Sequence, residues 1–559
     1  MQENLAHAIQ NLLRSQDYPA VDFVVEHPQE LSHGDFATNV ALVLAKQVGK
    51  SPREVATELV TAWEAAPLAG IKEVAIAGPG FINFHLADSF FVETLKNISE
   101  HPKAWGRHQA YQDQLVLVEY TSPNLFKPLH VGNLVGNIIG ESLTRLFEWS
   151  GATVKRINYP SDIGLPVAKA VWGIQQTGGS IDDINDLGTA YRVGNQAYEE
   201  SESAKEEIIA VNQALYKHSD PYLAELRFRG ITTSLRQFVQ ICQKLGTSFD
   251  TTITESESAP LGKAFVEAHY GTVFTDSDGA VVYDEARSGL HTRVFLNSKG
   301  LPTYEAKDLG NFAKKNELYP DWDTSVVVTG SEQREYFKVI YAAIHEVFPE
   351  AETKALEHIS TGFLTLSTGK MSSRLGNVLT GESLLADMEA AAAERVQERA
   401  AANPALAEAV AVAALKYQIL RQAVGSDIVF DKEKSLSFEG ASGPYLQYTY
   451  ARIQSVLAKA SSLQLVASLT VPPAAPYAVE KYLYRFPEVT AAALAARSPH
   501  LLVTFLTELA GQFNSFYAQE PIATLEDELA PYKLALASAV GETLKTGLHL
   551  LGIRAPEKM

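Results

Sequence analysis

The spacing of hydrophobic and polar positions divides the chain into four regions. The first, residues 1–105, opens with MQENLAHAIQNLLRSQ, whose apolar residues recur at helical intervals. Ser51-Pro52-Arg53-Glu54 predicts another helix start. Ser51 caps it, Pro52 suits the first turn and Glu54 completes a capping box. VAIAGPGFINFHL (74–86) alternates as two short strands around the turn Gly78-Pro79-Gly80. A small α+β domain is expected here.

The second region, 106–380, begins with LVLVEY (115–120), a short and nearly continuous apolar run of the kind that forms a buried parallel strand. A turn at SPNLFKPLHVG and a helix from about 132 to 150 follow, with Ile139, Leu143, Leu146 and Phe147 on one face and Gly151 at its end. ATVKRINYP (152–160) supplies the next strand, so a Rossmann-like strand–helix–strand unit is predicted. From about 175 to 290 the pattern is polar and mixed, as an insertion would be. The alternation resumes with HTRVFLN (291–297), a helix near EAKDLGNFAKK, the strand TSVVVTG (324–330) and a helix after Glu332. From 381 the chain turns helical and alanine-rich, with Asn403-Pro404 starting a helix. A helical connector (381–435) and a C-terminal all-α bundle (436–559) complete a multidomain α/β chain.

Composition changes this picture little. With 46% hydrophobic and 20% charged residues over 559 positions, the chain is an ordinary globular protein of several domains. There is no apolar run of bilayer-spanning length and no secretory leader at the N-terminus. One cysteine, Cys242, excludes an internal disulfide and argues against a zinc site, which suits a reducing cytoplasm. The net charge of −19 argues against a nucleic-acid partner, although phosphate contacts depend on local Lys and Arg placement.

Two segments carry the chemistry. Lys127-Pro-Leu-His130-Val-Gly132-Asn133 lies between a strand and a helix, where the sheet's open edge and the helix N-terminus favour anions. Gly132 allows close approach to the backbone, and His130 and Lys127 offer donors to phosphate. By itself such a triplet also reads as a plain turn. Gly369-Lys370-Met371-Ser372-Ser373-Arg374, roughly 240 residues further on, has the cations and flexibility of a mobile clamp over a polyphosphate, or of a basic surface turn. It is not a Walker loop: the glycine spacing is wrong, and Met371 stands where a magnesium-binding hydroxyl belongs.

In this order and domain context the two segments resemble the HIGH and KMSKS signatures of class I aminoacyl-tRNA synthetases. Further segments narrow the resemblance to the arginyl-tRNA synthetases. These are Glu119-Tyr-Thr-Ser-Pro-Asn124, LPTYEAKDLG (301–310), TGSEQREYF (329–337), EGASGPYLQYTYARI (439–453), and HGDFATNVALVLAK (33–46) with AGPGFINFHL (77–86). The resemblance implies ATP-dependent activation of L-arginine and its transfer to tRNA(Arg), with magnesium accompanying ATP; a monomer, without zinc, is expected. The N-terminal domain would contact the tRNA elbow.

Carried over to this chain, the catalytic residues are Lys127, His130 and Lys370, and ATP is bound by His130, Gly132, Asn133, Lys370, Met371 and Ser372. Glu119 and Asp308 would bind the guanidinium, a planar cation with five donors, with Tyr304 packed beside it. Asn124 and Gln333 would hold the amino-acid end. Tyr445, Tyr448 and Arg452 share helical spacing and suit stacking on tRNA bases, though such a stripe also fits core packing.

Three departures stand out. Asn133 replaces a second histidine, and Tyr336 stands where a histidine is more usual. Ser373 replaces a catalytic lysine, for which the resemblance implies that Lys127 compensates. Asn133 is the one feature that favours a different reading, a synthetase-like tRNA-binding paralogue that no longer activates an amino acid.

Overall fold

The Ser51 capping box forms as its residues predict: the Ser51 hydroxyl accepts from the Glu54 N–H, and the Glu54 carboxylate accepts from the Ser51 N–H at 2.9 Å. The computed structural model describes residues 1–284, 289–367, 379–397 and 403–559. Its N-terminal region comprises α1 (Gln2–Ser15), β1 (Val25–Glu26), β2 (Phe36–Thr38), α2 (Val40–Val48), α3 (Pro52–Ala65), β3 (Ile71–Ala77), β4 (Phe81–Leu86) and α4 (Asp88–Glu100). The strands form an antiparallel sheet in the order β1-β2-β4-β3. Its core, around Phe36, Trp63 and Phe84, is completed by Tyr484 from the C-terminal region.

The second region is built on β5 (Leu115–Glu119), α5 (Val131–Trp149) and β6 (Thr153–Asn158). Alternate residues of β5 point to opposite faces and both are buried: Val116 and Val118 join the core around α5, and Leu117 joins the core on the other side. The chain continues through α6 (Leu165–Thr177), α7 (Ile184–Glu200), α8 (Glu202–Lys217), α9 (Pro221–Leu245), β7 (Thr251–Thr252) and α10 (Glu255–Ala268). Next come β8 (Thr275–Ser277), β9 (Ala280–Tyr283), β10 (Arg293–Leu296), α11 (Tyr304–Leu318), β11 (Thr324–Gly330), α12 (Arg334–Val347), β12 (Ala355–Thr361) and β13 (Leu364–Leu366). Five strands make one parallel sheet, ordered β12-β11-β5-β6-β7. In chain order that is 5-4-1-2-3, the doubly wound arrangement, and the order reverses between β5 and β11.

Several expectations are corrected. The stretch 175–290 is not one insertion: α7 to α9 form a helical layer with its own core, but β7 then returns to the parallel sheet beside β6. Two paired residues are too few to leave a periodic signal. The strand expected at 291–297 is real, yet it pairs antiparallel with β9 in a separate three-stranded sheet. The helix after the first signature is buried nearly all round rather than along one stripe, because helices of the C-terminal region pack on its outer side.

The remaining chain is α13 (Gly381–Gln397), α14 (Pro404–Leu420), β14 (Ile428–Phe430), α15 (Gly443–Ser462), α16 (Phe486–Ala495), α17 (His500–Gln519) and α18 (Ala530–Leu550), with two four-residue helices between them. Asn403 caps α14 as expected. The stretch expected to be a helical connector also carries β14, which pairs with β13. Cys242 is buried in α9. Among the described residues no helix is long and apolar enough to cross a membrane.

Candidate active site

Ligands of doubly wound sheets bind beyond the carboxyl ends of the strands where the strand order reverses. Here that crevice lies between β5, which ends at Glu119, and β11, which ends at Gly330. The loop leaving β5 is strained: Thr121, Ser122 and Phe126 all have positive φ (72°, 33° and 66°) without being glycine. Such backbone persists only where its surroundings over-determine it. Two α5 side chains hold it here, Asn133 donating to the Thr121 carbonyl (3.1 Å) and Asn137 to the Thr121 hydroxyl (3.0 Å). The Phe126 N–H is fixed by the Ser234 hydroxyl at 2.9 Å.

His130 is the N-cap of α5, and its Nδ1 accepts from the Gly132 N–H at 2.9 Å. A Cβ at position 132 would stand 2.6 Å from the imidazole, so glycine there is what admits the ring. Burial, reinforced by Lys127 and opposed by Glu332, lowers the His130 pKa. The ring is therefore neutral at pH 7 with Nδ1 an acceptor, which leaves the proton on Nε2 as an outward donor. Lys127 is half-buried, its pKa lowered by desolvation, with its ammonium 4.8 Å from the centre of the Tyr191 ring. Tyr191 lies on α7, so the helical layer braces the signature loop. Asn133 closes a capping box by accepting from the His130 N–H at 3.2 Å. Its amide is thus committed to the loop on both sides. The second signature, with Lys370, Met371 and Ser372, lies outside the described residues. Just beyond it the chain pairs with the first: the Gly381 N–H donates to the Leu129 carbonyl at 2.7 Å, and Thr380 bridges His130.

Of the residues expected to hold the amino acid, Glu119 and Asp308 lie close enough to act on each other's charge. Glu119 is 4% exposed rather than a solvated strand end. Its Oε2 takes an ion pair from Lys315 (2.8 Å) and a hydrogen bond from Asn311 (2.8 Å). Asp308 is half-buried, and its Oδ2 accepts the Tyr336 hydroxyl proton at 2.5 Å. Among the described residues no cation pairs with Asp308 and no group donates to its Oδ1. Burial pushes its carboxyl up to about 8, against the Tyr336 hydrogen bond that lowers it, with Glu119, Glu255 and Glu305 adding to the rise. Tyr304 opens α11 at the cleft, 47% exposed. Asn124 and Gln333 are exposed on the loops leaving β5 and β11.

Four partners escaped the sequence reading. Asn311 and Lys315 continue the face begun by Tyr304 and Asp308, at four, seven and eleven residues, and extending that helical stripe two turns finds them. Lys307 and Glu255 form a buried pair at 2.5 Å. No local signal reveals that pair, because α10 and α11 cross so closely that a Cβ on Gly262 would lie 1.7 Å from the Ala306 carbonyl oxygen. Burial opposes the charge on Lys307, but Glu255 outweighs it, and its pKa is raised.

In the C-terminal bundle Tyr445, Tyr448 and Arg452 do cluster. Arg452 donates to the Asn514 side chain and packs its guanidinium on the rings of Tyr448 (4.9 Å) and Tyr517 (5.3 Å). Asn514 donates in turn to the Tyr445 hydroxyl at 3.0 Å. All three residues are half-buried, whereas Tyr517 is 41% exposed.

Residues 94–432 match the family described as tRNA synthetases class I (R), catalytic domain. Residues 446–559 match the DALR anticodon binding domain, and residues 1–86 the arginyl tRNA synthetase N terminal domain. The arginine–tRNA ligase of Treponema pallidum subsp. pallidum is 31% identical over 99% of this chain and 98% of its own length. That of Fusobacterium nucleatum is 29% identical over 99% of this chain and 97% of its own. The solved structure of Thermus thermophilus arginyl-tRNA synthetase superposes with a TM-score of 0.81 at 26% identity, each chain fully covered.

Proposed function

This chain belongs to the arginyl-tRNA synthetase family, and from that premise we propose how its residues carry out ATP-dependent activation of L-arginine and its transfer to the 3′ end of tRNA(Arg). The reading rests on Asp308: a half-buried carboxylate with an open oxygen and no cation among the described residues is a site for a cation supplied by substrate. Asp308 and the open Oε1 of Glu119 take the guanidinium, with the Tyr304 ring beside it. An acidic amino acid would be repelled by these carboxylates, and a neutral one would leave Asp308 unpaired. Asn124 and Gln333, at the ends of adjacent strands, hold the α-amino and α-carboxyl groups.

The arginine carboxylate then attacks the α-phosphorus of ATP, and pyrophosphate leaves. The work of the protein is positioning and charge stabilisation. His130 donates from Nε2 to a phosphate oxygen, and Lys127 adds a partly desolvated positive charge. Lys370, Met371 and Ser372 complete the phosphate contacts from the second signature. Magnesium enters as the ATP complex. The 2′-hydroxyl of the terminal tRNA adenosine next attacks the activated carbonyl, and AMP leaves. At the other end of the tRNA, Tyr448 and the exposed Tyr517 offer ring faces, and Arg452 a planar guanidinium, to anticodon bases, with Tyr445 bracing them. The non-activating reading loses its motive, since the duties of Asn133 in the capping box and at Thr121 account for it.

The test is amino-acid-dependent pyrophosphate exchange with ATP, run with each amino acid in the presence and absence of tRNA(Arg). Exchange with arginine alone supports the assignment, and a tRNA requirement adds the coupling common in the family. Exchange with a different amino acid overturns the pocket. Binding of tRNA without any exchange overturns the activity.

A further inference from the structure

We infer that Tyr336 is a positioning residue of the arginine pocket, whose hydroxyl holds Oδ2 of Asp308 so that Oδ1 faces the substrate guanidinium. The inference rests on the arginine reading above and adds to it. Its basis is geometric. The 2.5 Å hydrogen bond joins α12 to α11, and Asp308 has no other donor among the described residues. The Tyr336 ring is itself fixed, edge-on to Phe337 (5.2 Å) and beneath the Arg293 guanidinium (5.4 Å). A carboxylate anchored through one oxygen has its other oxygen aimed, so the guanidinium meets a preset acceptor instead of ordering one on binding.

The charges around Asp308 make this anchor matter. Glu119 faces it from β5, ion-paired with Lys315, and Glu255 from α10, ion-paired with Lys307. Glu305 faces it from α11 itself, paired to Arg293 at 3.5 Å. Tyr159 beyond β6 and Tyr341 on α12 are the remaining titratable neighbours. With burial, these carboxylates favour a protonated Asp308, whereas a donated hydrogen bond favours the anion. Arginine, permanently cationic, needs the anion. Its KM should therefore fall as pH rises toward about 8 and level off above it.

The experiment compares the full-length chain with Tyr336→Phe, which keeps the ring and its packing. Steady-state pyrophosphate exchange is measured with tRNA(Arg) present, across roughly pH 6.5 to 8.5, a window that brackets the shifted carboxyl. Removing a hydrogen bond to a charged group is expected to raise KM for arginine on the order of tenfold to a hundredfold. Saturating kcat and KM for ATP should stay within about twofold, and the midpoint of the pH dependence should move up. An unchanged KM for arginine overturns the inference. So does a joint rise of the arginine and ATP constants with an unmoved midpoint, which marks mere loosening. If the unmutated chain fails to exchange with arginine, the arginine reading falls first and takes this inference with it.

Discussion

The proposed arginine pocket and the aromatic cluster of the C-terminal bundle hold the same kinds of residue, acids or amides, tyrosines and basic groups, yet they differ in how those groups are partnered. In the cluster, Arg452, Asn514, Tyr445 and Thr449 satisfy one another, and the rings of Tyr448 and Tyr517 cover the guanidinium. In the pocket, Glu119 is matched by Lys315, while among the described residues Asp308 is left with one oxygen open, its pKa raised to about 8 by burial. A complete polar network stabilises and specifies packing, whereas an incomplete one stores free energy that a ligand releases. The unmatched group supports the proposed site more directly than the residue types do.

The sharpest way to break this contrast is to make the matched acid an unmatched one. Lys315→Met leaves Glu119 buried without its cation, and the expected loss is about 3–5 kcal/mol of stability in denaturant melts. A loss under about 1 kcal/mol would show that Glu119 needs no internal partner, and the comparison would collapse.

Neutralising the unmatched acid should do the reverse. Asp308→Asn is expected to lower kcat/KM for arginine on the order of a hundredfold. Its effect on stability follows from the sign of the shift. A carboxyl whose folded pKa is raised costs nothing below its unfolded value, and the cost builds as pH rises toward about 8. The variant should therefore melt higher than the parent at about pH 8 and level with it near about pH 4. A lower melting temperature at the alkaline end contradicts the view that this group is held at a stability cost for function.

The smallest effect concerns the cluster. Tyr445→Phe removes one neutral hydrogen bond, and about 1 kcal/mol of stability should go with it, while KM for tRNA changes less than about twofold. A large rise in that KM with no change in melting would make Tyr445 a recognition residue and not a brace.

Legibility in the sequence followed the range of the interaction. The unit from β5 through α5 to β6 could be read directly, because a continuous apolar run, a glycine turn and a 3.6-residue period are local. Strands β7, β13 and β14 could not, being two or three residues long and defined only by distant partners. The acids of the pocket came from the resemblance, since Glu119 alone reads as a strand end and Asp308 as a helix-surface charge. Lys315 and Asn311 lay one helical stripe away from being found.

What the sequence determined by itself was the set of local commitments: the Ser51 and Asn403 caps, the glycine that admits His130, the face shared by Tyr304, Asp308, Asn311 and Lys315, and a chain order that fits a doubly wound sheet. Only the tertiary structure decided which of those groups are satisfied. Reversal of strand order between β5 and β11 brings Glu119 and Asp308, far apart in the chain, into one crevice, and a third element adds the Tyr336 hydroxyl. Local periodicity fixes the direction in which a side chain points. Whether a counter-charge waits there depends on elements brought together by burial of apolar surface, which is non-directional and has no period in the sequence.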